Sequence, residues 1–232
     1  MDIHWGHYHK LRPAQIDDIR ARVSVAYVPW GALEWHSYHN PIGLDGLIAE
    51  DLCTSLAKSV GGLVLPPVYV GTDTIKVGLG FPHSVEHSQQ TVSDLCFQFC
   101  EQLAAEGFEV VIVVTGHSGA GHREALGTAV DKARVALPGT VFKLIPAFDP
   151  IEDIWRVNHA AEGETSLQIA VDSTLVDLSK LPQGRTATLE DDGVWGNDPA
   201  SANQTKGEEI RALFVERCSG IVRDILKNIA LG

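Results

Sequence analysis

The sequence predicts an α/β fold of three layers, α/β/α, with a mostly parallel central sheet. Two observations carry this. Short apolar, β-branched runs alternate with longer segments of helical periodicity along most of the 232 residues, the pattern that lays helices on both faces of a parallel sheet. The two clearest strands, "VSVAYVP" (23–29) and "FEVVIVVTG" (108–116), are apolar with little alternation, as strands covered on both faces are.

Each element follows from local chemistry. "PAQIDDIRAR" (13–22) reads as a short helix opened by Pro13, whose missing N–H is harmless in a first turn. After the strand 23–29 comes a loop, and then "LIAEDLCTSLAKSV" (47–60), with helical spacing and a stop at Gly61 and Gly62,. "LVLPPVYVG" (63–71) is a strand broken by two prolines, and "TDTIKVGLGFPHSVEH" (72–87) an irregular loop or hairpin. "QTVSDLCFQFCEQLAAEG" (90–107) is the clearest helix and runs directly into the strand 108–116. A glycine-rich loop, "GHSGAGH" (116–122), precedes a helix over 123–137 and a strand over 140–148. Helical periodicity returns at 164–176 and in a long amphipathic segment, 205–229, with a polar, turn-rich stretch between them. No repeat, low-complexity tract or linker divides the chain, so a single domain over 1–232 is expected.

Composition narrows the function. Apolar residues make up 44% and charged residues 21% of the chain, ordinary for a soluble globular protein. A formal charge of −12 without a basic cluster speaks against a nucleic-acid partner. The polar start "MDIHWGHYHKLRP" is not a signal peptide, and no apolar stretch is long enough to span a bilayer, so a cytoplasmic location is expected. Cys53, Cys96, Cys100 and Cys218 lack paired spacing and read as free thiols, with Cys96 and Cys100 one turn apart on an apolar helix face. His4, His7 and His9 read as surface or subunit-contact residues.

Ten histidines are about twice the ordinary share, and they gather with carboxylates at predicted strand ends, where α/β proteins place their sites. After the first strand come Glu34, His36, His39 and Asp45; after the second, His117 and His122; a third loop, "RVNHAAEGETS", offers His159, Glu162 and Glu164. Glu34 and His36, two apart in an extended segment, point to one face, with Trp35 on the other. Such a pair suits two neighbouring metal ions, with Asp45 arriving from a helix start to bridge them; alone, Asp45 would read as an N-cap. Mixed imidazole and carboxylate donors suit zinc, manganese or iron, and paired ions can activate hydroxide and polarise a carbonyl. There is no GxSxG elbow. "GHSGAGH" lacks the Lys-Ser/Thr ending of a P-loop and does not fit GxGxxG.

Along nearly its whole length the chain resembles the creatininase (creatinine amidohydrolase) family. "VPWGALEWHSYHNPIGLDGLIAEDL" resembles that family's Gly-x-Glu-x-His pattern followed by a helix-opening Asp; "VVIVVTGHSGAGHREAL" resembles its Asn-Gly-His-Gly-Gly-Asn segment; "NHAAEGETS" and "GVWGNDPASANQTKGEEI" are similar to two further segments in the same order. The resemblance implies a layered α/β/α fold, two divalent metal ions per subunit, and a homohexamer built as a trimer of dimers. It implies Glu34 and His117 on one ion, His36 on the other, Asp45 bridging, and His159 as general acid/base. Where creatininases carry a Glu two residues after the His, this chain has Gly119, so Glu164 is expected as the fifth ligand, with Glu162 as the alternative. His83 and Ser84 replace the family's usual Gly-Thr; with Trp155, Trp195 and His39 they are the expected substrate contacts. The implied activity is hydrolysis of a carbonyl C–N bond in a small amide, lactam or formamide, with a cyclic substrate expected. Hydrolytic C–C opening of an inosose-type ketone is the alternative, with a metal-dependent isomerase or lyase, or a non-catalytic binding protein, as the other classes.

Overall fold

The structure is a computed structural model that describes residues 4–231; the first three residues of the polar amino-terminal stretch lie outside the described residues. In chain order the elements are β1 (Trp5–His7), α1 (Pro13–Arg22), β2 (Val25–Gly31), α2 (Leu44–Val60), β3 (Gly62–Val64), β4 (Val68–Tyr69), the single turn α3 (Lys76–Leu79), α4 (Gln89–Ala105), β5 (Val110–Thr115), α5 (Ala120–Ala136), β6 (Val141–Pro146), α6 (Glu162–Asp172), the single turn α7 (Leu189–Asp192) and α8 (Gln204–Leu231).

The strands form one sheet in the order β1-β3-β2-β5-β6, with β4 against the end of β2, and every pairing is parallel. Because side chains alternate along a strand, β2 feeds two cores. Val25 and Tyr27 join Val110, Ile112 and Val114 under α2, α6 and α8, while Ala26, Val28 and Trp30 join Val111 and Val113 under α1, α4 and α5. Both faces are therefore covered, as the uninterrupted apolar runs predict.

Three differences from the sequence reading have physical causes. The tripeptide Trp5–His7 pairs with β3; at three residues it shows no alternation, and only its neighbour makes it a strand. Helices α2 and α5 begin at Leu44 and Ala120, three residues before their apolar period, because their first turns carry Asp45, Gly46, Gly121 and His122. Helix α6 stops at Asp172, whose side chain accepts the Thr174 N–H and opens a 3₁₀ turn over Ser173–Leu175. All four cysteines are buried and unpaired. No described helix is long and apolar enough to cross a membrane.

Trp30 of β2 lies opposite Thr115 of β5, which lies opposite Pro146 of β6. The three strands thus end level, and their following loops converge at one edge, where parallel sheets hold their sites.

Candidate active site

The first donors come from the loop after β2. Trp35 is fixed away from its neighbours: its backbone N–H donates to Ser84 Oγ at 3.0 Å, its indole N–H to the Asp192 carbonyl at 3.1 Å, and its ring stacks on Phe81 at 5.7 Å. Glu34 and His36 flank it and turn the other way, into the interior. The segment is a loop, yet the alternation expected of extended chain holds.

Asp45 arrives from the first turn of α2. It is not the N-cap; Gly43 is, without a side-chain cap. Two glycines make room for this turn. A Cβ on Gly31 would lie 2.3 Å from the Gly46 nitrogen, and one on Gly116 would lie 2.1 Å from the Asp45 carbonyl oxygen. The ends of β2 and β5 therefore touch the backbone of α2 directly, which places the Asp45 carboxylate between them. Gly116→Ala is expected to push Asp45 away, at a cost of about 1–3 kcal/mol or more; thermal melts should show a lower Tm.

The donors meet around Asp45. Its Oδ1 lies 3.1 Å from His36 Nε2, and its Oδ2 lies 3.4 Å from His117 Nδ1. His117 Nδ1 is 2.8 Å from Glu34 Oε2, and His36 Nε2 is 3.7 Å from Glu164 Oε2. Glu34, Asp45 and His117 thus form one set able to hold an ion and His36, Asp45 and Glu164 another, with Asp45 common to both; Glu34, His36 and His159 form a third grouping. All are buried or nearly so, with Glu34 only 2% and Asp45 1% exposed.

Outer partners aim these rings. His36 Nδ1–H faces the Glu34 carbonyl at 3.1 Å, His117 Nε2–H the Thr72 carbonyl at 3.0 Å, and His159 Nε2–H the Trp35 carbonyl at 2.8 Å. With one nitrogen of each ring donating to a carbonyl, the other presents its lone pair to the cluster. Glu34 Oε2, His36 Nε2 and Asp45 Oδ1 are buried without an aligned hydrogen bond. Lone pairs facing lone pairs at these distances are the arrangement a cation satisfies.

A proton can take a cation's place between these groups, as the electrostatics of the two rings show. Burial works against charge on His36, but the Asp45 and Glu164 carboxylates overcome it and hold the ring up at about 10; Glu34 and Asp45 likewise raise His117 against its burial. Burial pushes Glu164 up to about 8, opposed by His36. Burial, helped by His36, pulls His159 down to about 4, which leaves its imidazole neutral near pH 7.

A cavity of about 480 Å³ opens over the cluster, lined by Glu34, Asp45, His117, His159, Glu164 and Trp195 among others. That is the scale of a small-molecule site. His159 and Trp195 exchange backbone hydrogen bonds at 2.8 and 2.9 Å, so the turn-rich stretch before α8 braces the His159 loop.

The remaining residues marked by the sequence lie elsewhere. Glu162 turns away from the cluster onto Lys206 at 2.5 Å, Ser201 at 2.9 Å and Asn197 at 3.0 Å. His39 is buried beneath the site, 3.0 Å from the Thr165 hydroxyl, and is not on the cavity wall. Ser84 is occupied in accepting the Trp35 N–H, and His83 is exposed with its ring over Trp35. Trp155 lines a neighbouring recess of about 1100 Å³, which shares Trp195 with the cavity. Cavity-lining residues without a signal in the sequence include Asp73, Thr74 and Ile75 of an irregular loop and Leu189 at the start of the single turn α7.

The stretch that carries Trp195 depends on Asp192, which pairs with Arg185 at 2.6 and 3.0 Å and accepts the Thr188 N–H at 2.9 Å. The Arg185 hydrogen bond holds the Asp192 carboxyl below the usual carboxylate range. Its contribution is therefore present above the ordinary carboxylate pKa and lost as pH falls through the lower folded value. Asp192→Asn is expected to melt below the wild type at pH 7, with the gap closing in melts run below pH 4.

A three-layer α/β protein with acidic and imidazole donors paired about one shared carboxylate at the strand ends belongs to the enzyme-like α/β folds. The chain belongs to the creatininase family: the family model, described as creatinine amidohydrolase, matches residues 9–222. It is 24% identical to the creatinine amidohydrolase of Pseudomonas putida over 88% of this chain and 89% of that one. It is 26% identical to the mycofactocin precursor peptide peptidase of Mycolicibacterium smegmatis (strain ATCC 700084 / mc(2)155), over 88% and 87%. The fold matches a solved mutant creatininase of Zn-Zn type with a TM-score of 0.81 at 21% identity, covering 94% of this chain and 97% of that one. It matches a manganese creatininase with a TM-score of 0.80 at 22% identity, covering 96% and 98%.

Proposed function

We propose that this protein is a metal-dependent amidohydrolase that cleaves a carbonyl C–N bond of a small substrate. The observation that carries the reading is the shared Asp45, with one carboxylate oxygen toward His36 and the other toward His117, amid buried donors without aligned hydrogen bonds. Glu34, Asp45 and His117 would hold one ion and His36, Asp45 and Glu164 the other. Divalent ions there supply Lewis-acid polarisation of a carbonyl and lower the pKa of water. Zinc and manganese, the metals named for the creatininase structures this fold matches, suit the mixed donors.

Two features support Glu164 as the fifth donor. Its carboxylate lies inside the cluster while Glu162 is held by Lys206. At Gly119, a Cβ would lie 2.5 Å from the Asp73 carbonyl and 2.8 Å from His117 Nε2, so no side chain fits there without the loop moving. His159 is placed to shuttle the proton. Its Nε2–H is bound to the Trp35 carbonyl, its Nδ1 lies 4.0 Å from Glu34 Oε2, and a proton taken at Nδ1 can pass to the leaving nitrogen.

C–N cleavage is favoured over C–C opening because relatives named as an amidohydrolase and as a peptidase both act on amide-type bonds. The test is elemental analysis of purified protein followed by a screen of lactams, formamides and short peptides. Two transition-metal ions per chain and amine release are expected; failure to take up any transition metal on reconstitution would sink the reading.

A further inference from the structure

We propose that Glu86 is a positioning residue for one of the two ion-holding sets only, that of Glu34, Asp45 and His117. The inference rests on the dinuclear reading above and concerns a residue outside the cluster. The segment Thr72–Ile75 has no regular structure, and Asp73 adopts φ +58°, a left-handed conformation unfavourable for a residue with a side chain. Such a loop needs an external hold.

Glu86 supplies it. One carboxylate oxygen accepts the Thr72 hydroxyl at 3.0 Å and the Asp73 N–H at 2.6 Å; the other accepts the Thr74 N–H at 3.0 Å and the Thr74 hydroxyl at 2.6 Å. These four hydrogen bonds pull the carboxyl below its usual pKa, against burial. Its own backbone is tied in register, because Gly71 and Glu86 form a parallel bridge and the His87 N–H donates to the Gly71 carbonyl at 2.9 Å. Only a carboxylate presents acceptors at both terminal atoms; the amide of Gln would turn its NH₂ against two donors.

The loop so held makes three contacts with the site. The Thr72 carbonyl accepts His117 Nε2–H at 3.0 Å, the Ile75 N–H donates to Glu34 Oε1, and Asp73 Oδ2 accepts the Gly121 N–H at 2.8 Å at the start of α5. Both unshared donors of one set are therefore aimed by the Thr72–Ile75 loop. The other set is aimed by different groups: His36 by the Glu34 carbonyl, and Glu164 by the Ala160 N–H at 2.7 Å and through Asn158, which accepts the Glu164 N–H at 3.1 Å. None of these lies in the 72–75 loop.

The consequence is an asymmetry between the two ions. Loss of an outer partner typically lowers metal affinity about 10–100-fold, and in Glu86→Gln that loss should fall on one ion. The experiment titrates wild type, Glu86→Gln and the milder Thr74→Val with zinc in chelator competition, and follows amide exchange at Ile75 and Ala160. Glu164→Gln identifies the affinity belonging to the other ion. Glu86→Gln should weaken one ion about 10–100-fold, leave the other unchanged and speed exchange at Ile75 but not at Ala160. Thr74→Val should move the same ion and the same amide by less.

Equal weakening of both ions, or unchanged Ile75 exchange in both variants, would overturn the proposal. If the wild type takes up no ion, the dinuclear reading fails, and the contrast between Ile75 and Ala160 still decides whether Glu86 positions this loop.

Discussion

Asp45→Asn is expected to leave at most one tightly held ion per chain and to lower turnover by more than the roughly 100-fold that loss of an outer partner costs. The reason is geometric. Asp45 directs one oxygen at His36 Nε2 and the other at His117 Nδ1, and each of the two donor sets is incomplete without it. Asn keeps the size but replaces one oxygen by an NH₂ group that repels a cation. The substitution also removes the negative charge that faces two buried imidazoles, so the ion-free variant should be less stable than the ion-free wild type, by several kcal/mol if both rings stay charged. Metal analysis, chelator competition and melts with and without ions check the three parts. A variant that keeps two ions and near-normal turnover would refute the shared-carboxylate arrangement.

His159→Gln should separate proton transfer from ion holding. A decrease in kcat of about 10²–10⁴ is expected, with ion content unchanged. His159 lies farther from the shared carboxylate than His36 and His117 do, meets Glu34 only at 4.0 Å, and has its other nitrogen committed to the Trp35 carbonyl. Gln preserves the N–H that donates to this carbonyl, so the loop should stay in place. Steady-state kinetics on a responsive amide, with metal analysis of the same preparation, reads both effects. Loss of an ion along with activity would make His159 a ligand instead of a proton carrier.

These expectations rest on an arrangement that was only partly legible beforehand. Glu34, His36 and Asp45 stand out because they crowd one loop, and His117 because it follows an apolar strand at once. A bridging Asp45 is already expected from the sequence; what the sequence does not show is that Gly31 and Gly116 are bare enough for α2 to touch both strand ends. Glu162 and Glu164 stand two residues apart at a helix start, and only the family resemblance sets Glu164 ahead. The helix turns one toward His36 and the other toward Lys206. Glu86 carries no signal, since its four partners are hydroxyls and amides of an irregular loop.

The layered α/β architecture is legible in the chain alone, because apolar period and strand–helix alternation are local properties that burial on a parallel sheet requires. So are the loops that carry the donors and the family the chain resembles. The family resemblance already implied which donors meet; which nitrogen of each ring faces inward, and which residues stay away, His39 and Glu162 among them, emerged only from the tertiary contacts. Those outcomes depend on contacts between residues far apart in the chain, from Thr72 with His117 to Trp35 with His159. No local pattern encodes such pairings; they exist only once the strands end level and bring their loops together.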